Sequence, residues 1–378
     1  MSESPTTDDD GDTLQQVADA FGQTLDPLGE FEEQFSGLEL DPFDPFREDV
    51  LAAQDLHDDT LRNYRSVFED WRQHMAREGR HPACPNDDHV LRFIQHERAP
   101  ESEGGKDNHP RTVKAKLRKL NRAYEFWQDT AAFPHPQDYN PFTLAREKVN
   151  LENPDSKEHR RIPVDELRDM MDSVTNLRKQ AIIGLQFKLG LRAGEVSNIK
   201  LSDLSLENSE IREHYPEMGT ERRLEGRPNA VYVPSGDERE GNKSRRPRVL
   251  PLDDELRRLL IRYLLVRPDN GEPWLFLSQK SHSKINKKTV NKIWKDEFHP
   301  EYAETEQHRP VTSHFGRHRF STWWRVEQDV NRELVKYMRG DKPGSTSAKT
   351  REAIDAYLHT YYEDIRDLYL ENVYKLGI

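Results

Sequence analysis

An apolar run, Ala181-Ile-Ile-Gly-Leu-Gln-Phe187, is followed five residues later by an arginine, in the stretch Leu189-Gly-Leu-Arg-Ala-Gly-Glu-Val196. Such a run belongs in a core, and a guanidinium beside a core needs a buried acid or an external anion. Glu195, three residues on, supplies the acid, and read alone the pair is structural. Residues further along the chain add a second reading. Lys243 lies in an expected hairpin, His314-Phe-Gly-Arg317 on an expected helix, and a tyrosine follows late in the chain. That set suits cleavage of a phosphodiester and makes Arg192 its anchor.

A net charge of −12 is the wrong sign for a binder of nucleic acid, but its distribution decides the matter. Residues 1–50 hold fifteen acids and one base, Arg47, and the remainder of the chain nets +2. Residues 1–50 are therefore expected to be an acidic, disordered tail, with the repeated Asp-Pro-Phe of 41–46 where tail meets domain. Cys84 is the sole cysteine, which excludes an internal disulfide and a cysteine-based metal site. No apolar run approaches membrane-spanning length, and a cytoplasmic protein is the default expectation.

The hydrophobic periodicity predicts a helical domain over 51–150, a linker over 151–162 and a second domain over 163–378. Helices are expected over 58–79, with Thr60 as N-cap, over 87–97 after Asn86, and over 111–128. The last buries Val113, Leu117, Leu120, Tyr124 and Trp127, and carries Arg111, Lys114, Lys116, Arg118, Lys119 and Arg122 before its first acid, Glu125. Six bases without acidic partners point to phosphate contact rather than a plain solvated face. Asn140-Pro-Phe142 closes this domain. In the second, strands at 230–233 and 248–252 flank a long polar tip, an antiparallel hairpin. Residues 279–295 hold six lysines, among them Lys284, Lys287, Lys288 and Lys292, and no acid; they read as a half-buried helix facing a polyanion. In the helix begun by Thr312-Ser313, His314, Arg317 and His318 share one face.

A phosphodiester can be broken without metal if three demands are met. The nucleophile stays on the enzyme, cationic donors hold the non-bridging oxygens, and an acid protonates the leaving 5′ oxygen. Arg192 and Arg317 suit the clamp, because guanidinium forks match phosphate oxygens. His314 can donate a further hydrogen bond or act as a base, Lys243 on a mobile hairpin can act as the acid, and a tyrosine phenol can be the nucleophile. No cofactor, bound metal or small-molecule substrate is called for.

Taken together these segments resemble the tyrosine recombinases of the phage integrase family, the group of the Xer and Cre proteins, in an archaeal-integrase form. Leu189–Val196 is similar to that family's first arginine box, with Arg192 and Glu195 in register and Asp203 at its end. Lys243, eight residues before Pro251, matches the hairpin lysine, His314–His318 the His-x-x-Arg-His box, and Ala356-Tyr-Leu-His359 the nucleophile box. Residues 56–145 resemble the helical core-binding domain. The resemblance implies a mainly α, multidomain fold: a SAM-like core-binding domain, then a mixed α/β catalytic domain with a small antiparallel sheet. It also implies a 3′-phosphotyrosine intermediate on Tyr357, with Tyr361 and Tyr362 as near competitors and Tyr369 a distant one. Double-stranded DNA is then the partner and a homotetramer the acting form, with integration, excision or resolution of DNA elements as the outcome. The 363–376 stretch serves either for docking on a neighbouring protomer or for packing on its own domain. One departure stands out: where the family places His or Trp after Met338-Arg-Gly, this chain has Asp341. Asp341 either orients Arg192 or Arg317, or leaves the missing donor to Arg339 or Lys342. His318 is read as structural. The alternatives to a recombinase are a type IB topoisomerase-like enzyme and a catalytically silent DNA-binding regulator.

Overall fold

In a computed structural model, residues 9–22, 24–54, 56, 58–152, 157–344 and 360–378 are described. They divide into two compact units, residues 1–156 and 157–378.

The first unit is helical. Asp58–Arg77, Asp87–Arg98, Pro110–Asp129 and Pro141–Lys148 are its main helices. Its core is aromatic: Phe68, Trp71, Phe93, Tyr124, Trp127 and Phe142 are buried together. Pro110–Asp129 buries Val113, Leu117, Leu120, Tyr124 and Trp127, the stripe its 3.6-residue period demands. Asn86 caps the second helix by accepting from His89 N while the His89 ring accepts from Asn86 N. Two local expectations are corrected. Thr60 lies inside its helix, which begins at Asp58, because Asp58 and Asp59 already supply the negative charge favoured in a first turn. Asn140 caps a further helix, accepting from Phe142 N and Thr143 N, rather than ending the domain.

The larger correction concerns the expected tail, of which residues 9–22 and 24–50 are described. Composition reads them as a tail, yet Leu28, Phe35, Phe43 and Phe46 belong to the helical unit's core. Phe43 stacks on Phe68 with centroids 4.0 Å apart, and Trp127 donates its Nε1–H to Pro42 O at 2.9 Å. The acids that suggested disorder find bases: Asp26 pairs with Arg80 at 2.8 Å, and Asp41 with Arg72. Average composition missed this because two Asp-Pro-Phe repeats carry enough aromatic surface to anchor the segment, and their acids stay at the rim.

The second unit packs around the helix Leu177–Leu189, whose Ala181, Ile182, Ile183, Leu185, Phe187 and Leu189 are wholly buried. Helices Asp254–Leu264 and Ser313–Thr322 flank it. A three-stranded antiparallel sheet, β1 (Leu204–Ser205), β2 (Ala230–Val233) and β3 (Arg248–Pro251), lies in that order. The β2–β3 register runs from Ala230 opposite Pro251 to Val233 opposite Arg248, which places the long polar tip between Val233 and Arg248. The expected linker contributes its second half to this unit, since Glu158 bridges to His308.

The C-terminal stretch packs on its own domain. Helix Tyr362–Asn372 buries Ile365 and Tyr369, and Val373, Tyr374 and Leu376 join them in the same core. The buried Lys188 ammonium binds Asp253 at 2.7 Å and Glu255 at 2.5 Å and donates to Tyr374 O. Glu255 in turn accepts from the backbone N–H groups of Leu376 and Ile378. A buried lysine with two carboxylates is stable only with every partner in place.

Phe46→Ala is expected to destabilise the helical unit by about 3–5 kcal/mol, the usual result of emptying a buried phenylalanine site. The measurement is urea unfolding followed by tryptophan fluorescence; an unchanged midpoint would mean that the segment is not part of the core.

Candidate active site

Arg192 stands at the N-terminus of the short helix Ala193–Ser197, directly after the core helix. Its N–H donates to Glu195 Oε2 at 2.8 Å and its guanidinium to Glu195 Oε1 at 3.3 Å. The expected local pair is therefore present, and it is only part of a larger lattice. Arg248, wholly buried at the start of β3, forks onto the same carboxylate at 3.3 and 3.1 Å and donates its Nε–H to Met338 O at 2.8 Å. One buried acid thus ties a helix, a strand and the helix Arg332–Arg339 together. Burial alone would raise the Glu195 pKa; Arg248, then Arg317 and Arg192, outweigh it and hold it at about 2.

Arg317, on Ser313–Thr322, reaches the same place from the other side. It donates to Gly190 O at 2.7 Å, to Arg339 O at 2.9 Å and to Asp341 Oδ1 at 2.9 Å. Arg192 donates to that same Asp341 oxygen at 3.0 Å, and Arg339 to Asp341 Oδ2 at 2.7 Å. Burial, then the neighbouring Arg192, pushes the Arg317 pKa down to about 9, so it is still a cation at neutral pH. Four guanidiniums face two carboxylates, and two of the four, Arg192 and Arg317, border a cleft of about 280 Å³. Arg192, Lys243, Lys287, His314 and Arg317 all line it.

Lys243 is brought there by the hairpin tip, which is pinned rather than free. Asn242 and Ser244, on either side of it, are buried and both donate to Pro234 O. Asn198 donates to Glu240 O and Asn242 Oδ1, and Arg239 pairs with the buried Asp203. Asp203, expected at the end of the arginine box, therefore holds the hairpin from below. Gly194 permits the closest approach, since a Cβ there would lie 2.8 Å from Gly241 O. These contacts tie the base of the tip to the rest of the unit, while Lys243 itself is exposed.

His314 opens on the cleft, while the His318 ring sits 4.5 Å from it and 4.4 Å from the His159 ring. Partial burial, then His314 and His159, lowers the His318 pKa to about 4. Partial burial, then Arg317 and Arg192, also lowers that of His314. Both imidazoles are neutral at pH 7, which leaves His314 able to accept a proton or donate one hydrogen bond.

Tyr357 lies outside the described residues. Of its competitors, Tyr362 is buried in a cluster with Leu224, Tyr232 and Val249, Tyr369 is buried and donates to Lys188 O at 3.0 Å, and Tyr361 is exposed. Arg248 is the principal site residue that the sequence did not single out. Its signal was a charge at the head of a short apolar strand, Arg248-Val-Leu-Pro251.

The candidate DNA contacts fall into two groups, one on each unit. On Pro110–Asp129, Arg111, Lys114 and Arg118 are exposed. Lys119 and Arg122 are half-buried, with Lys119 over the Tyr64 ring and Arg122 donating to Tyr64 OH at 3.1 Å. Lys116 is a correction: it pairs with Asp70 and the buried Glu97, each at 2.7 Å, partners contributed by other helices and so invisible to local spacing. In the second unit the helix starts only at Lys287, capped by Asn286. Residues 277–284 instead close an antiparallel bridge, and Lys284 lies over the Trp274 ring at 3.6 Å. Lys287 and Lys288 are exposed, and Lys292 pairs with Asp296 at 2.8 Å.

Among the described residues no helix is long and apolar enough to cross a membrane. Residues 160–346 match the model of the phage integrase family. The tyrosine recombinase XerA of Pyrococcus horikoshii is 27% identical over 185 residues, 48% of this chain and 53% of that protein. The chain thus spans about half the length of this curated relative. Among solved structures, a lambda integrase dimer bound to a COC′ core site aligns with a TM-score of 0.56 at 14% identity, covering 90% of this chain and 85% of that one. The Tn1549 transposon integrase in complex with a circular intermediate DNA aligns at 0.57 and 14% identity, covering 87% and 99%. These structural likenesses concern the fold.

Glu195→Gln tests the lattice. Because the native pKa is depressed, the carboxylate's contribution to stability is present above its ordinary value of 4.5 and is lost as pH falls toward about 2. Wild-type unfolding midpoints should drop over that window more steeply than those of Glu195→Gln, which should be less stable at pH 7; parallel pH profiles would count against the assignment.

Proposed function

We propose that this chain, whose residues 160–346 match the phage integrase family model, is a tyrosine recombinase that cuts and rejoins double-stranded DNA. The observation that carries the reading is the convergence of the Arg192 and Arg317 guanidiniums on one oxygen, at 3.0 and 2.9 Å, beside a cleft that Lys243 and His314 also line.

In this reading the scissile phosphate sits against Arg192 and Arg317, which hold its non-bridging oxygens as charge grows on phosphorus. The Tyr357 phenol oxygen attacks the phosphorus. A bond from phosphorus to the tyrosine oxygen forms as the bond to the 5′ oxygen breaks, and Lys243 gives its proton to that oxygen, leaving a 5′-hydroxyl. His314, neutral at rest, takes the phenol's proton as the tyrosine oxygen attacks. Attack by a 5′-hydroxyl from a second strand reverses the sequence and frees the tyrosine. The phosphate is never released, so bond energy is conserved and no ATP enters.

Arg111, Lys114, Lys119, Arg118 and Arg122 on one unit, and Lys284, Lys287, Lys288 and Lys292 on the other, supply phosphate contacts that position the duplex without reading its sequence. Assembly as a homotetramer on two duplexes belongs to the same proposal, as does a cytoplasmic location.

The full chain, incubated in chelator with supercoiled DNA carrying its own gene neighbourhood, should form a covalent adduct that peptide mass mapping places on Tyr357 through a 3′-phosphate. An adduct on Tyr361 would keep the reaction and move the nucleophile. Adducts scattered over unrelated sequence would favour a topoisomerase, and none despite DNA binding would favour a silent regulator. Arg317→Ala should lower adduct formation by about 10²–10³-fold, the usual effect of losing one preorganised donor to a developing oxyanion.

A further inference from the structure

Asp341 stands where the first half of the reaction needs positive charge, and its contacts suggest what it does there. Its two oxygens take hydrogen bonds from three arginines: Oδ1 from Arg192 at 3.0 Å and Arg317 at 2.9 Å, and Oδ2 from Arg339 at 2.7 Å. These are the spacing and donor types of a bound phosphate oxygen pair. The donor inventory makes the contacts exclusive. The Arg317 NH2 group has two hydrogens; one goes to Arg339 O and the other to Asp341. A phosphate that engages this edge of the fork must replace the carboxylate.

The backbone at this point is fixed and the side chain is not enclosed. Gly340 takes a left-handed φ of +67°, and a Cβ there would lie 2.3 Å from the Arg248 guanidinium. Its carbonyl accepts from Arg245 N at 2.8 Å, and Asp341 N donates to Lys336 O at 2.9 Å. The Asp341 side chain keeps 28% of its exposure, so solvent reaches the carboxylate where it meets the arginines.

Resting on the recombinase reading, we propose that Asp341 is an internal anion that fills the phosphate seat between Arg192 and Arg317 when DNA is absent, and that a phosphodiester enters by displacing it. Asp341 is a positioning residue in this scheme. It keeps two buried or half-buried cations paired while the site is empty, and it weakens the grip on any phosphate that cannot compete. Its carboxyl is held below the ordinary aspartate range, against the effect of burial, by Arg317, Arg339 and Arg192, so it is an anion throughout the neutral range. A seat filled nine-tenths of the time lowers apparent affinity about tenfold.

The test uses the full chain and inorganic phosphate as probe, at constant ionic strength, with calorimetry as the readout. Asp341→Asn should bind phosphate at least about tenfold more tightly than the wild type, and adding Arg192→Gln should remove the gain. Asp341→Ser serves if the asparagine variant misfolds by circular dichroism. Equal or weaker binding would overturn the proposal and leave Asp341 a strut, and a gain that survives Arg192→Gln would overturn it by placing the phosphate elsewhere. In the wild type itself, the Asp341 carboxyl carbon resonance should shift as phosphate saturates the arginine pair; a resonance that does not move overturns the displacement. Failure of the recombinase reading shows separately, as the absence of any protein–DNA adduct from the wild-type chain.

Discussion

Everything around the cleft depends on one buried carboxylate. Glu195 is fully enclosed, and an ion in that position is tolerable only with geometry good enough to offset its lost hydration. Arg248 and Arg192 supply it from a strand and a helix start, and Arg248 extends the tie to the carbonyl of Met338. Three separate stretches of chain therefore have one permitted arrangement. Arg317 is brought to the same point by Gly190 O and Arg339 O, the polar ends of two neighbouring helices. The clamp is preorganised by these contacts, and its charge exceeds that of its internal acids. An excess of fixed positive charge beside a cleft is suited to holding an anion such as a phosphodiester.

The same pairing of buried polar groups explains the rest of the second unit. The hairpin tip is long and hydrophilic, yet Asn198, at the end of the first arginine's helix, binds Glu240 O, Asn242 and Arg239 of it, and Asp203 pairs with Arg239. Lys243 can be exposed and still well placed because its neighbours on both sides are anchored. At the far end, Lys188 with Asp253 and Glu255 grips the last residues of the chain. This is why the C-terminal stretch packs on its own unit: its apolar face has a core to enter, and its backbone has a carboxylate to meet.

The repeated helices, the hairpin and the aromatic stripe of Pro110–Asp129 were legible because each arises from a local period or cap. So was the pairing of Arg192 with Glu195, three residues apart. The tail was misread because composition averages over residues, whereas Phe43 and Phe46 act individually, and burying two aromatic rings in a helical core outweighs a high density of acids in the same segment. The lysine-rich stretch was misread as one helix because Lys284 has a partner, Trp274, that local spacing does not contain.

By itself the sequence determined which chemical groups are available and in what order: two arginines, a lysine, histidines and a late tyrosine, set among runs whose periodicity dictates helices and one hairpin. Only the tertiary structure decided which of these groups meet. Arg248 enters the lattice because β3 begins beside Glu195, and Asp341 becomes the partner of both clamp arginines because the turn after Arg332–Arg339 lies between them. The reason is physical. Local pattern encodes which face of an element is apolar, but the pairing of buried charges depends on distances between elements remote in the chain, and those distances exist only once the core has closed.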